Sequence, residues 1–336
     1  MLVFWKCRQR RSMHGSIIIV LVLLLLIITI FLLARIYWEA HHFVIRNYLI
    51  TNPKLDTLIR EIRIVFIGDL HNHCYGKDND ILVQAIREQE PELILITGDM
   101  IVAKNHISYD VAVRFLQQLP SICPVYYANG NHEQRLKAFP QRYGEYEPYR
   151  KLLINAGIHV LENHSEDIKV HGIPIRITGL EIPLIRRTQS RFNRKERVDA
   201  PMIRSLVGKH KKACYEILLA HNPMHYKGYL SWGADLILSG HLHGGMIRIP
   251  GWRGLVTPHM HLLPKYSGEI TKFKDQALLI TRGLGSHTIK IRLFNKAEVV
   301  VIHLTTKAMI EESVRIKAEE LTFQQAYTIQ TQADKM

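Results

Sequence analysis

Cysteine is scarce, and what there is has no metal-cage arrangement. Cys7 precedes a long apolar run, while Cys74, Cys123 and Cys214 follow it as an odd set without C-x-x-C spacing. That excludes a cysteine-based metal cage, and the three read as buried small apolar residues. Repeats and low-complexity stretches are also missing. The 336 residues, 47% hydrophobic, are therefore expected to build one large catalytic domain once the N-terminal segment is set aside. Acidic residues are outnumbered, 30 Asp plus Glu against 44 Lys plus Arg, for a formal charge of +14. A positive balance suits anionic surfaces or substrates and is silent about fold.

The one long apolar run, Ile17 to Leu33, is interrupted only by Thr29. As a helix it reaches about 26 Å, close to the hydrocarbon thickness of a bilayer. It continues through Ala34-Arg35-Ile36-Tyr37-Trp38, a charge and bulky aromatics where a cleavage site would need small residues. It therefore reads as an uncleaved anchor rather than a signal peptide. Lys6, Arg8, Arg10 and Arg11 precede it, so the positive-inside bias keeps residues 1–15 in the cytoplasm and places the large domain outside. Tyr37 and Trp38 suit an interfacial aromatic belt. The expected organisation is a basic N-terminus (1–15), a transmembrane anchor (16–38), a connector (39–61), a catalytic domain (62–306) and a C-terminal surface helix with its tail (307–336). An anchored protein argues against a nucleic-acid partner.

Five short runs rich in Val, Ile, Leu or Tyr end abruptly in Gly, Asp, Asn or His: Ile62 to Ile67, Leu93 to Thr97, Val125 to Ala128, Ile217 to Ala220 and Leu236 to Ser239. Continuous apolar runs of this length predict strands buried on both faces. Between them, Asn79 to Glu90, Tyr109 to Gln118 and Glu147 to Ala156 carry helical spacing. Alternation of this kind predicts an α/β domain whose strand ends converge on one crevice. From Val160 to Glu181 the pattern shifts to a hairpin with Gly172 and Pro174 in its turn. After His243, the runs Met246 to Ile249, Ala277 to Thr281 and Val299 to Leu304 predict antiparallel strands. A second sheet stacked on the first accommodates both changes.

The strand ends carry the chemistry. In order they read Gly68-Asp69-Leu70-His71, Gly98-Asp99, Gly130-Asn131-His132-Glu133, His221-Asn222 and Gly240-His241-Leu242-His243. Each offers a carboxylate, an amide oxygen or an imidazole, and the preceding glycines permit sharp turns and close approach. Such a set suits two divalent ions that neutralise a phosphoryl group and clamp the attacking and leaving oxygens. Nitrogen and oxygen donors without thiolate favour Mn, Fe, Zn or Co, with manganese first to be tested.

These ordered motifs resemble those of the calcineurin-like metallophosphoesterase superfamily from Ile62 to about Gly245. The resemblance implies a four-layer α/β/β/α sandwich of two mixed sheets. It implies one metal on Asp69, His71 and His243, a second on Asn131, His221 and His241, and Asp99 bridging the two. Phosphomonoesters or phosphodiesters would be hydrolysed by a metal-bound hydroxide, with His132 protonating the leaving oxygen. Glu133 would orient a ligand or His132, or else be solvated in its loop. The anchor close before the GDLH motif and the run Gly244-Gly245-Met246-Ile247-Arg248-Ile249-Pro250-Gly251-Trp252 resemble the membrane-anchored bacterial YkuE/YaeI-like branch. That implies a membrane-proximal substrate, a class that includes lipid-linked phosphoesters. Some relatives of the branch cleave the pyrophosphate of a nucleotide-linked lipid precursor such as UDP-diacylglucosamine, the alternative substrate; a fold that has lost turnover and only binds is the alternative class.

Other histidines read more plainly. His73, His106 and His164 are expected in solvated loops, and His259 and His261 in a segment rimming the site. The basic segment Ile185 to Val198, with Lys209, Lys211 and Lys212 after it, is expected as a solvated face, its alternative a contact with anionic headgroups.

Overall fold

Strand alternation sorts the domain into layers. In β2 (Ile62–Ile67) the side chains of Ile62, Ile64 and Phe66 enter one core, while Val65 and Ile67 enter another. The computed structural model of the protein, which shows this, describes residues 2–105, 108–183, 198–250, 254–256, 262–264, 266–286 and 291–312, with side chains from residue 17 onward.

The first sheet contains β1 (Phe43–Ile50), β2, β3 (Leu93–Ile96), β4 (Val125–Tyr127), β5 (His159–Val160) and β14 (Ala297–Leu304), in the order β1-β14-β2-β3-β4-β5. The second contains β6 (His164–Val170), β7 (Ile173–Gly179), β8 (Tyr215–Leu219), β9 (Leu236–Ser239), β12 (Ile270–Phe273) and β13 (Gln276–Ile280), in the order β12-β13-β9-β8-β7-β6. Both are mixed. β14 lies parallel to β1 and antiparallel to β2, and β13 lies parallel to β9 and antiparallel to β12. A small ribbon of β10 (Ile247–Arg248) and β11 (Gly254–Val256) follows the last histidine motif.

Ile64 and Phe66 meet Ile217, Leu219, Leu238 and Leu279 in the core between the sheets. Outside the first sheet, α2 (Asp80–Arg87), α3 (Asp110–Leu116) and α6 (Tyr146–Asn155) supply Leu82, Ile86, Phe115 and Leu153 against Val65 and Ile67. Outside the second, α7 (Ala200–Val207) and α8 (Tyr226–Trp232) supply Ile203, Tyr229 and Trp232 against Leu218 and Ile237. The result is helix, sheet, sheet, helix. Phe66 is fully buried, so removing its ring in Phe66→Ala would cost about 3–5 kcal/mol.

Helix α1 (Leu2–His41) contains, from Ile17 on, a stretch long and apolar enough to cross a membrane, its apolar residues exposed. Several expectations change here. Residues 39–61, expected as a connector, include the eight of β1, paired along its whole length with β14. Their mixed character, with Arg46 and Asn47 among apolar residues, is that of a half-covered edge strand. Pro174 lies in β7 opposite Lys169, and the hairpin turns at His171 and Gly172. Cys74 is exposed rather than buried, its thiol donating to the Gly76 carbonyl at 2.9 Å. Residues 307–312 are helical. The rest of the expected C-terminal helix and tail, His106, His259, His261 and the basic run up to Arg197 lie outside the described residues.

Candidate metal centre

The five motif-bearing strand ends belong to different sheets: β2, β3 and β4 to the first, β8 and β9 to the second. They meet at the seam. The backbone N–H of His241 donates to both carboxylate oxygens of Asp69, at 3.2 and 3.0 Å, tying the end of β9 to the end of β2. His221 Nδ1 lies 2.7 Å from the Thr97 carbonyl, tying the end of β8 to that of β3.

Close approach demands unusual backbone. Gly98 has φ +80°, and a Cβ there would stand 1.9 Å from the amide nitrogen of Gly130. Asp69, His71, Asp99, His241 and His243 all hold φ between 51° and 71°. The left-handed region costs a side chain roughly 1–2 kcal/mol, so strain is concentrated in these loops and is held there by the surrounding sheets.

The structure brings Asp69, His71, Asp99, Asn131, His132, His221, His241 and His243 together, each at most 7% exposed. Donor atoms of Asp69, His71 and His243 cluster within 4.8 Å, as do those of Asp99, His221 and His241, and those of His71, Asp99 and His132. Asn131 Nδ2 stands 2.7 Å from His241 Nδ1, and a half-turn of the amide exchanges its nitrogen for oxygen.

Hydrogen bonding settles the imidazole tautomers. Nδ1 of His71, His221 and His243 faces the carbonyls of Ile101, Thr97 and Gly285 at 3.3, 2.7 and 3.0 Å. A carbonyl only accepts, so each Nδ1 carries the proton and each neutral ring presents its Nε2 lone pair to the cluster. His71 Nε2 and His243 Nε2 are 3.2 Å apart, and Asp69 Oδ1 lies 3.7 and 3.5 Å from them. His221 Nε2 is buried without a hydrogen-bond partner, 3.0 Å from Asp99 Oδ2. Lone pairs and carboxylates aimed at common points fit cations. His132 is the exception, since its Nδ1 accepts from the Ala103 amide at 2.8 Å, which leaves the neutral ring's proton on Nε2.

Burial alone would push the Asp69 and Asp99 carboxyls up. The facing imidazoles, His243 first for Asp69 and His221 first for Asp99, outweigh it and hold both well below the usual carboxylate range. Burial likewise opposes charge on His221, but the Asp99 carboxylate raises it to about 9. The two carboxylates thus stay charged, and His221 holds a proton against Asp99 unless a cation takes its place.

Glu133 is fully buried and ignores the His132 ring. Its carboxylate accepts from the amides of Asp99, Met100 and Gly130 at 2.8, 3.0 and 2.9 Å and from the Tyr127 hydroxyl at 2.9 Å. It shapes the Asp99 loop while starting helix α4 (Asn131–Ala138). His73 is half-buried against Tyr75, and His164 opens β6. Arg292 and Asn295 carried no local signal. Arg292 is buried and donates to the carbonyls of Arg282, Gly283 and Gly285, the last being the group that orients His243.

Residues 62–245 match the calcineurin-like phosphoesterase family, more than half of the chain. The chain belongs to that family. The chain is 24% identical to the uncharacterised metallophosphoesterase YkuE of Bacillus subtilis over 274 residues, 80% of this chain and 87% of that one. It is 25% identical to the phosphodiesterase YaeI of Escherichia coli over 245 residues, 72% of this chain and 82% of that one. An uncharacterised metallophosphoesterase of Helicobacter pylori is 28% identical over 257 residues, 75% of this chain but 62% of the relative, so the chain spans less than two thirds of that protein's length.

Proposed function

We propose that this metallophosphoesterase hydrolyses phosphomonoesters or phosphodiesters using two divalent ions, manganese first among Mn, Fe, Zn and Co. Asp69, His71 and His243 would hold one ion; Asn131, His221 and His241 the other, with Asp99 shared. The observation that carries the reading is the tautomer pattern: three rings turn Nε2 lone pairs toward two carboxylates, and a fourth, His132, turns a proton. Bound ions would neutralise the phosphoryl oxygens and lower the pKa of water at the site.

The chain's own groups supply the rest. His132 presents its Nε2–H to the departing oxygen as a hydrogen-bond donor, and transfers that proton only when the ring is charged, so that a neutral imidazole and not an imidazolate is left. Its ring is fixed by the Ala103 amide, and its backbone N–H donates to Asp99 Oδ1 at 2.8 Å, so acid and shared carboxylate move as one. Beside Asn131 and His221 lies a small pocket lined by Gln134, Asn222 and His225 together with Leu180, Ile182 and Tyr229. The apolar helix supports a membrane anchor and a substrate near that surface, while the basic residues Lys6, Arg8, Arg10 and Arg11 before it support a domain on the outer side.

The test is hydrolysis of bis-p-nitrophenyl phosphate by protein loaded with Mn2+. Asp99→Asn and His241→Ala are expected to abolish it, while His132→Ala keeps both ions and loses about 10²–10⁴-fold in kcat. A wild-type protein holding two equivalents of manganese and hydrolysing no phosphoester would overturn the proposal.

A further inference from the structure

The apolar helix outlasts its apolar surface. Residues 17–34 present a lipid-compatible face about 27 Å long, but the last turns of α1 belong to the domain. Glu39 is fully buried. Its Oε1 pairs with Arg35 at 2.8 Å, and the Arg35 guanidinium lies 5.8 Å from the ring centre of Phe294. The Lys296 ammonium sits 5.1 Å from the ring centre of Trp38. Only His42 separates α1 from β1, so the helix runs stiffly into the edge of the first sheet.

Glu39 Oε2 reaches further. It accepts the backbone N–H of Asn295 at 2.8 Å. Asn295 is itself fully buried, and its Nδ2 donates to the His243 carbonyl at 2.6 Å and also to the Gly245 carbonyl. Between those residues a Cβ on Gly244 would stand 2.5 Å from Asn295 Oδ1. The amide therefore lies flat on the backbone that carries His243, and one cannot shift without the other.

We infer that Glu39, on the last turns of the apolar helix, is a positioning residue for the metal centre: through Asn295 it holds the His243 backbone, so the helix is part of the working enzyme. This rests on His243 being a metal ligand. His243 holds a left-handed backbone, φ +51°, which persists only while its surroundings impose it. Its ring is steered by Gly285 and its main chain by Asn295. With the Glu39 acceptor withdrawn, the buried Asn295 N–H must seek another, and His243 is freed to relax. Proteolytic release of the domain beyond Glu39 would do the same.

The experiment uses the full chain in detergent micelles, stripped of metal and titrated with Mn2+, with bound manganese counted by electron paramagnetic resonance. Two equivalents on the wild type test the dinuclear reading itself; fewer would sink that reading and this inference with it. Glu39→Asp keeps the charge but retracts the acceptor. It is expected to weaken one equivalent about tenfold, as loss of a group behind a ligand does, and to leave the other unchanged. Glu39→Gln keeps an acceptor oxygen at full reach and should bind both as the wild type does. Trp38→Ala loosens the same helix-to-domain contact without touching Asn295 and should also keep both. The inference is overturned if Glu39→Asp affects neither equivalent or both equally, if Glu39→Gln is worse than Glu39→Asp, or if Trp38→Ala selectively loses one equivalent.

Discussion

His71 and His243 face each other Nε2 to Nε2 across 3.2 Å, with both Nδ1 atoms turned to backbone carbonyls. Two lone pairs so placed repel unless a proton or a cation lies between them. Removing metal with a chelator should therefore lower the melting temperature, and Mn2+ should restore it. At a free concentration of 100 Kd each site adds about 2.7 kcal/mol, and in a domain of this size each kcal/mol is worth roughly 2–4 °C. Differential scanning calorimetry measures this. A melting temperature indifferent to chelator and manganese would count against ions at this pair.

Glu133→Gln should be costly although it is nearly isosteric. The native carboxylate accepts from three backbone amides within 3.0 Å and from Tyr127. An amide NH2 in place of either oxygen would point a donor at donors, leaving buried N–H groups unmatched at a cost of about 3 kcal/mol. Urea unfolding at saturating Mn2+ reads the loss. Activity should fall with it, because Asp99 takes its loop geometry from the same carboxylate. A variant as stable and active as the wild type would contradict this account.

Lys137 links α4 to both Glu162 and Glu181, and Arg150 pairs with Glu162 at 2.5 Å. Half-burial opposes the Glu162 charge, but Lys137 and Arg150 outweigh it and lower its pKa below the ordinary 4.5. A lowered carboxyl pKa contributes stability above the unfolded value, and that contribution is lost as pH falls through the folded one. Lys137→Met should accordingly destabilise the protein at pH 7 and matter little at an acid pH low enough to protonate Glu162 in both states. Unfolding curves for the two proteins at the two values decide the matter. An equal gap at both would show that the lysine acts through contacts other than its pairing with Glu162, such as its ammonium over the Tyr146 ring.

Much of the architecture was legible because burial on both faces leaves a mark on composition. Strands predicted at Ile62 to Ile67 and Leu236 to Ser239 match β2 and β9 residue for residue. The groups brought together at the seam could be picked out for a related reason: each follows an apolar run directly, and glycine stands before several of them. Edge strand β1 escaped notice because a half-exposed strand tolerates Arg46 and Asn47, so its pattern resembles a linker. Helices α2 and α3 came out shorter than their periodic stretches and α6 shifted by one residue, since periodicity reports the buried face and not the capping geometry.

By itself, then, the sequence determined the apolar helix, the buried strands and the set of donor groups at their ends, because these depend on residue type and near neighbours. Only the tertiary structure decided that the five strand ends come from two sheets and meet across their seam. It alone assigned protons to the imidazoles, since a tautomer depends on which carbonyl or amide faces each ring. It also set Glu133 against the Asp99 loop, and set Glu39 behind Asn295 and His243. Glu39 and Asn295 lie 256 positions apart, and a hydrogen bond over that separation leaves no trace in local pattern.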